Sequence, residues 1–145
     1  MVGDIYSQYE NRMLEMNAID FDDILIKWRE LLAYPDVLAI FHDRFTHIMV
    51  DEYQDTNDIQ YDIVHKLAAK HRNIAVVGDD WQGIYSWRGA NVGNILSFQK
   101  DYPDATVVKL EQNYRSTKTI IAAANAVIKN NKTALEKTLW TDNTL

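Results

Sequence analysis

Two adjacent carboxylates, Asp51 and Glu52, directly follow a short apolar run at residues 48–50. Negative charges at the end of a buried strand are unfavourable unless a cation lies against them. In a hydrolytic site, the first carboxylate of such a pair can hold Mg²⁺, and the second can orient or deprotonate the attacking water. On its own, such a pair is more typical of a solvated loop, so its meaning depends on the rest of the chain.

A second polar stretch, GDDWQGIYSWRGA, covers residues 78–90. The Gln82 amide can hydrogen-bond a phosphate oxygen or a water. Tyr85, Trp87 and Arg88 place two aromatic rings beside a guanidinium, which suits stacking on unpaired bases. Alternatively, the two aromatic residues could fill a core from one face of a strand, but the glycines on either side favour an exposed loop.

A third stretch, LEQNYRST, covers residues 110–117. Arg115 could bind a phosphate through two parallel hydrogen bonds, and Tyr114 could stack on a purine. The alternative is a surface arginine near a helix start and a packed tyrosine, so this stretch is weak by itself.

Each polar stretch follows an apolar run that predicts a β-strand, at residues 47–50, 73–77 and 106–110. Helical patterns lie between and around these runs, which predicts an α/β fold with a parallel sheet flanked by helices. Ligands of such sheets bind at the carboxyl ends of the strands, where all three polar stretches are expected. The predicted helices cover residues 4–16, a segment capped by Asp20 with Asp23, residues 36–43, a segment capped by Asn57, residues 92–100 and a segment capped by Ser116.

Composition limits the kinds of protein to consider. The chain has 145 residues, no cysteine and a formal net charge of −6. Any nucleic-acid binding must therefore come from a local cluster, because the chain has no overall basic excess. No apolar run approaches the roughly 18 residues that span a membrane, and no signal sequence opens the chain, so we expect a cytoplasmic protein. The four histidines show no metal-site spacing, and KNNKTALEK at residues 129–137 is expected to be a solvated face.

Taken together, VDEYQDTN, VVGDDWQGIYSWRGA and LEQNYRST resemble motifs II, III and IV of superfamily 1 DNA helicases of the UvrD, Rep and PcrA type. NAIDFDDIL, NILSFQKDYPDATVV and TLWTDN also resemble sequences of this family, so the likeness covers nearly the whole chain. Many members have DQS where this chain has WQG, and the DDWQ form is more similar to the helicase IV branch.

The resemblance implies ATP and Mg²⁺ as cofactors, single-stranded and duplex DNA as partners, and a role for each of eight residues. Asp51 would be the Mg²⁺-linked Walker B aspartate and Glu52 the catalytic glutamate. Gln82 would sense the γ-phosphate and couple it to DNA. Single-stranded bases would stack on Tyr85 and Trp87, supported by Arg88. Tyr114 would lie against the adenine, and Arg115 would be the arginine finger.

The phosphate loop G-x-x-x-x-G-K-[ST] does not occur in the 145 residues. The resemblance therefore implies an internal fragment of a partial RecA-like P-loop NTPase fold that lacks the Walker A strand and loop. Residues 1–18 would end a helical 1B-like insert, residues 19–104 would complete RecA-like domain 1A, and residues 105–145 would begin domain 2A. The nucleotide would bind between the two RecA-like domains, with Glu52 on one wall and Arg115 on the other.

The activity implied for the parent protein is ATP hydrolysis coupled to translocation on single-stranded DNA and to duplex unwinding. The isolated chain is expected to be inactive without the remainder of the helicase chain. Two alternatives stay open. One is a metal-dependent nuclease or phosphatase that uses Asp51, Glu52, Asp79 and Asp80 around two ions. The other is a DNA-binding module without catalytic activity.

Overall fold

The computed structural model describes residues 1–131, 135 and 137–144. Its backbone divides into two units, one made of residues 1–50 and 57–75 and the other of residues 51–56 and 76–145. No helix in the described part of the chain is long and apolar enough to cross a membrane.

The first unit is mainly helical and contains most of the sheet. Helices α2 and α4 pack around a core of Leu32, Ile63 and Leu67, to which α3 and β1 also contribute apolar side chains. Strands β1 and β2 form a two-stranded parallel sheet, in which the Ile48 N–H donates to the Asn73 carbonyl at 2.9 Å. The elements are α1 (Val2–Glu15), α2 (Phe21–Leu31), α3 (Pro35–Arg44), β1 (Ile48–Val50), α4 (Asp58–Ala68) and β2 (Ile74–Val76).

Two helix starts confirm the predicted caps. The Asp20 carboxylate accepts from the Asp23 N–H at 2.8 Å, and the Asp23 carboxylate accepts from the Asp20 N–H at 3.3 Å. Asn57 and Gln60 form the same reciprocal pair, at 2.9 and 3.0 Å. Each box satisfies two backbone groups at the helix start, so it fixes where the helix begins.

The second unit is held together around Tyr53, which is fully buried. Its ring meets Phe98 edge-on at 5.8 Å, and Phe98 stacks on Tyr102 at 4.8 Å. The buried Asn94 amide donates to the Thr56 carbonyl at 3.2 Å and so fastens the segment after β1 to a helix. This unit contains the 3₁₀ turns Tyr53–Asp55, Asp80–Gln82 and Ser86–Arg88, and the helices α5 (Gly93–Asp101) and α6 (Lys118–Ile128).

The α/β prediction is confirmed, but the third predicted strand is wrong. Residues 106–110 form no strand among the described residues, and Val107, Val108 and Leu110 are 54%, 73% and 81% exposed. A strand needs a backbone partner along its length. The nearest described pairing comes later, in a parallel bridge between Gln112 and Trp140.

The start of α6 also differs from prediction. Its N-cap is Thr117, not Ser116, and no side chain caps the helix there. The Asn113 side chain instead accepts from the backbone N–H groups of Arg115 at 2.9 Å and Ser116 at 2.7 Å. This Asx turn satisfies two backbone N–H groups just before the helix.

Candidate functional site

Glu52 occupies an unusual backbone conformation directly after β1. Its φ and ψ angles are 50° and 44°, in the left-handed region, which costs a residue other than glycine roughly 1–2 kcal/mol. The Asp51 carboxylate accepts from the Glu52 N–H at 2.9 Å and supports this turn. Both side chains are exposed, as a site open to a ligand requires. Strained residues of this kind concentrate at functional sites, which makes Glu52 a candidate functional residue.

Gln54 links the two polar stretches that follow the strands. Its side chain is almost fully buried. The amide nitrogen donates to the Glu52 carboxylate at 2.7 Å, and the amide oxygen accepts from the Asp79 N–H at 3.0 Å. A Cβ added to Gly78 would lie 2.5 Å from that amide oxygen, so glycine is required there by close approach.

Gln82 extends this connection on the other side of Asp79. Its amide nitrogen donates to the Asp79 carboxylate at 2.8 Å. Glu52, Gln54, Asp79 and Gln82 therefore form one continuous series of hydrogen bonds. A cavity of about 440 Å³ lies beside this series, lined by Glu52, Gln54, Asp55, Trp81, Gln82, Ile84 and Tyr85.

Lys137 forms a partly buried ion pair with two carboxylates of the second stretch. Its ammonium lies 2.5 Å from an Asp79 oxygen and 2.7 Å from an Asp80 oxygen, and 4.6 Å from the centre of the Trp81 ring. Burial raises the pKa of Asp79, but hydrogen bonds from Lys137 and Gln82 outweigh it, so this pKa lies below its usual value.

The expectation of a solvated face at residues 129–137 is wrong for Lys137, whose side chain is 17% exposed. Residues 132–134 and 136 of that run lie outside the described residues. Lys137 is 57 positions from Asp80. No local pattern could have revealed a partner so far along the chain. The sequence did place Gln54 near the site, two residues after Glu52. It gave no sign that the Gln54 side chain is buried.

The aromatic residues of the second stretch are exposed. Trp87 is 73% exposed and Tyr85 is 39% exposed, so the alternative that they fill a core is wrong. The Arg88 guanidinium lies 4.6 Å from the centre of the Trp87 ring and 5.3 Å from that of Tyr85. The turn that carries them ends at Gly89, whose φ of 85° suits glycine. The three side chains are all exposed, and the two rings are inclined at 54° to each other beside the Arg88 guanidinium.

The predicted site residues therefore fall into separate groups. Glu52, Gln82 and Tyr85 line the cavity, whereas Asp51, Trp87 and Arg88 are not among its lining residues. Tyr114 and Arg115 are exposed and do not line it either. The Tyr114 hydroxyl donates to the Gln112 side chain at 2.8 Å, and in the described part of the chain the Arg115 guanidinium has no ion pair.

The exposed Asp51 carboxylate could bind a magnesium ion that is shared with a ligand. No group of three or more His, Asp or Glu side chains among the described residues could hold a metal ion. Mg²⁺ commonly takes one or two carboxylates and completes its shell with water and substrate phosphates, which fits the exposed Asp51. The two-ion nuclease alternative is not favoured, because Asp79 and Asp80 are already paired with Lys137.

Comparison with known proteins gives a match between residues 1–103 and the family model for the UvrD/REP helicase N-terminal domain. An ATP-dependent DNA helicase PcrA of Bacillus subtilis strain 168 is 51% identical over 144 residues, covering 99% of this chain and 20% of that protein. The ATP-dependent DNA helicase PcrA of Staphylococcus aureus strain Mu50 is 53% identical over 145 residues, covering 99% of this chain and 20% of that protein. Another, in Leuconostoc citreum, is 52% identical over 143 residues, covering 98% and 19%. The chain spans about a fifth of the length of these relatives.

Proposed function

Because this chain belongs to the UvrD/REP helicase N-terminal domain family, we propose that it supplies part of the ATPase and DNA-binding site of an ATP-dependent DNA helicase. The observation that carries this proposal is the placement of Glu52 and Gln82 on one cavity, joined through Gln54 and Asp79. The names of relatives that are 51–53% identical support the same activity.

We propose a RecA-like organisation for the parent protein, with residues 1–18 in a 1B-like insert, 19–104 in domain 1A and 105–145 in domain 2A. The family match ends at residue 103, which supports the second boundary. The two units of the structure divide the chain differently, since residues 76–104 group with the segment that carries Lys137. The Lys137 ion pairs with Asp79 and Asp80 lie within that unit.

At the nucleotide, the roles follow from the chemistry of each side chain. The exposed Asp51 carboxylate would hold Mg²⁺, which supplies positive charge against the phosphates of ATP. Glu52 would orient or deprotonate the attacking water, because its carboxylate lines the cavity. The Gln82 amide would bind the γ-phosphate, Arg115 would stabilise charge in the transition state, and Tyr114 would lie against the adenine.

At the DNA, the exposed rings of Tyr85 and Trp87 would stack on successive unpaired bases, and Arg88 would add positive charge near the backbone. The turn that contains Gln82 ends four residues before the turn that contains Trp87. We propose that a movement of Gln82 on nucleotide binding would be passed along this short stretch of chain to the stacking residues. This short link would couple ATP hydrolysis to movement on single-stranded DNA and to duplex unwinding.

Replacement of Glu52 tests the proposed function most directly. In the whole protein that contains this chain, Glu52→Gln should keep nucleotide binding and lower DNA-stimulated ATP turnover by roughly 10²-fold or more, because a general base is lost. The matched control is Glu30→Gln, at an exposed position on α2. Turnover that stays normal in Glu52→Gln would show that another group activates the water.

A further inference from the structure

We propose that Gln54 is a positioning residue that holds the Glu52 carboxylate at a fixed place relative to the segment that carries Gln82. This inference rests on the proposed function, because it assigns Gln54 a part in the same hydrolytic step. Gln54 lines the cavity but is almost fully buried, so it acts through its neighbours.

The partners of Gln54 determine the orientation of its amide. A carboxylate oxygen only accepts hydrogen bonds and a backbone N–H only donates, so the amide nitrogen must face Glu52 and the oxygen must face Asp79. A rotation by 180° would place oxygen against oxygen and break both bonds. With 1% of its surface exposed, the side chain has no water to replace either partner.

The surroundings of Gln54 leave little room for movement. A Cβ at Gly78 would lie 2.5 Å from the Gln54 amide oxygen and 3.2 Å from the Tyr53 backbone nitrogen, so the two strand ends approach as closely as glycine permits. The Tyr53 N–H also donates to the Val77 carbonyl at 3.0 Å. Gln54 is therefore fixed to the chain segments that follow both strands. Of its two hydrogen-bond partners, Glu52 is exposed and Asp79 is partly buried.

This arrangement matters because a free glutamate samples several rotamers. A catalytic group works best when its geometry is set before the reaction, and misplacement by about 1 Å can lower the rate roughly 100-fold. Asp79, whose backbone is held by Gln54, also accepts from the Gln82 amide at 2.8 Å. Gln54 thus connects Glu52 to Gln82 through Asp79 and fixes the distance between the two side chains. A ligand bound by Gln82 would then lie at a defined distance from the Glu52 carboxylate.

The test uses the whole protein and the variant Gln54→Met, which keeps the size of the side chain and removes both hydrogen bonds. Gln99→Met, at an exposed position on α5, is the matched control. We expect DNA-stimulated kcat to fall about 10- to 100-fold in Gln54→Met, the scale of a lost hydrogen bond to a charged group. The Kd for a fluorescent ADP with Mg²⁺ should stay within about twofold of the wild-type value, because Gln54 is proposed to act in hydrolysis and not in nucleotide binding.

Two further measurements separate positioning from a general structural role. In the Glu52→Gln background, Gln54→Met should lower the residual single-turnover rate by less than about twofold, because the group it positions is already gone. Without nucleotide, amide hydrogen exchange of a peptide covering residues 78–80 should lose protection in Gln54→Met, as the Asp79 N–H loses its buried acceptor. Gly78→Ala, whose added Cβ would lie 2.5 Å from the Gln54 amide oxygen and 2.8 Å from Ile95 Cδ1, is a second variant and should lower kcat in the same way.

The outcomes are distinct. A wild-type protein without DNA-dependent ATP turnover would contradict the proposed function, while the exchange measurement would still test the Gln54–Asp79 contact. An active wild type whose kcat is unchanged by Gln54→Met would overturn the positioning role. The same conclusion would follow from equal losses in the wild-type and Glu52→Gln backgrounds. If Gln54→Met does not fold, normal kcat in a folded Gly78→Ala protein would overturn the proposal, and a reduced kcat with unchanged Kd would support it.

Discussion

The exposure of Trp87 allows its role to be measured by one substitution, Trp87→Ala. The residue is 73% exposed, so only about 50 Å² of a side chain of roughly 200 Å² is buried. At roughly 25 cal/mol per Å², this burial stabilises the fold by about 1.3 kcal/mol. Loss of the Arg88 contact at 4.6 Å adds roughly 0.5–1 kcal/mol. The free energy of unfolding should therefore fall by about 2 kcal/mol.

If Trp87 stacks on a base, the same substitution should weaken binding of single-stranded DNA by about 1–3 kcal/mol, which is roughly a 5- to 150-fold rise in Kd. The assay is a fluorescence titration of a labelled oligonucleotide with the whole protein and its Trp87→Ala variant, at one fixed salt concentration. Denaturant melts of both proteins give the change in stability.

Trp28→Ala is the matched comparison. Trp28 packs on the Leu32, Ile63 and Leu67 cluster and on Phe41 at 6.4 Å, so its removal should cost about 3 kcal/mol of stability. DNA affinity per folded molecule should stay unchanged in this variant. A Trp87→Ala protein that behaves like Trp28→Ala, with a large loss of stability and unchanged DNA affinity, would refute the stacking role.

Three more predictions follow from the site. Arg115→Ala in the whole protein should lower kcat by roughly 10³-fold while nucleotide Kd changes little, and a weaker Kd with normal kcat would mark Arg115 as a binding residue. At neutral pH, the wild type should have a higher free energy of unfolding than Lys137→Met, because the ion pair lowers the folded-state pKa of Asp79. Urea melts should show this difference in stability shrinking as the pH falls below about 4 and Asp79 becomes protonated. The purified 145-residue chain should show no DNA-stimulated ATP turnover, because it contains no phosphate loop, and turnover that Glu52→Gln abolishes would contradict this.

Local signals in the sequence predicted the helices well. The box of Asp20 with Asp23 and the cap at Asn57 both form as predicted, and the structure adds Gln60 as the reciprocal partner of Asn57. Strands β1 and β2 were also predictable, because each is an apolar run followed by polar residues. The two strands pair with each other in the structure. The apolar pattern of residues 106–110 gave the same signal, yet pairing requires a neighbouring strand, which a local pattern cannot supply.

The candidate site was predictable in its residue types but not in its connections. The exposed loop around Trp87 could be inferred from its flanking glycines. The hydrogen bond between Gln54 and Asp79 joins residues 25 positions apart, and the ion pair of Lys137 with Asp79 spans 58 positions. Such contacts depend on how distant segments pack, so only the structure reveals that Gln54 and Lys137 contact residues of the candidate site.

The exposed stretch at residues 106–110 also bears on how the chain behaves at high concentration. Val107, Val108 and Leu110 are more than half exposed, and TVVKL is rich in β-branched residues. Exposed apolar segments with high β-propensity tend to associate with copies of themselves, and added charge opposes this association. The purified chain is therefore expected to self-associate as its concentration rises. Val108→Lys should shift sedimentation toward the monomer without changing the fold.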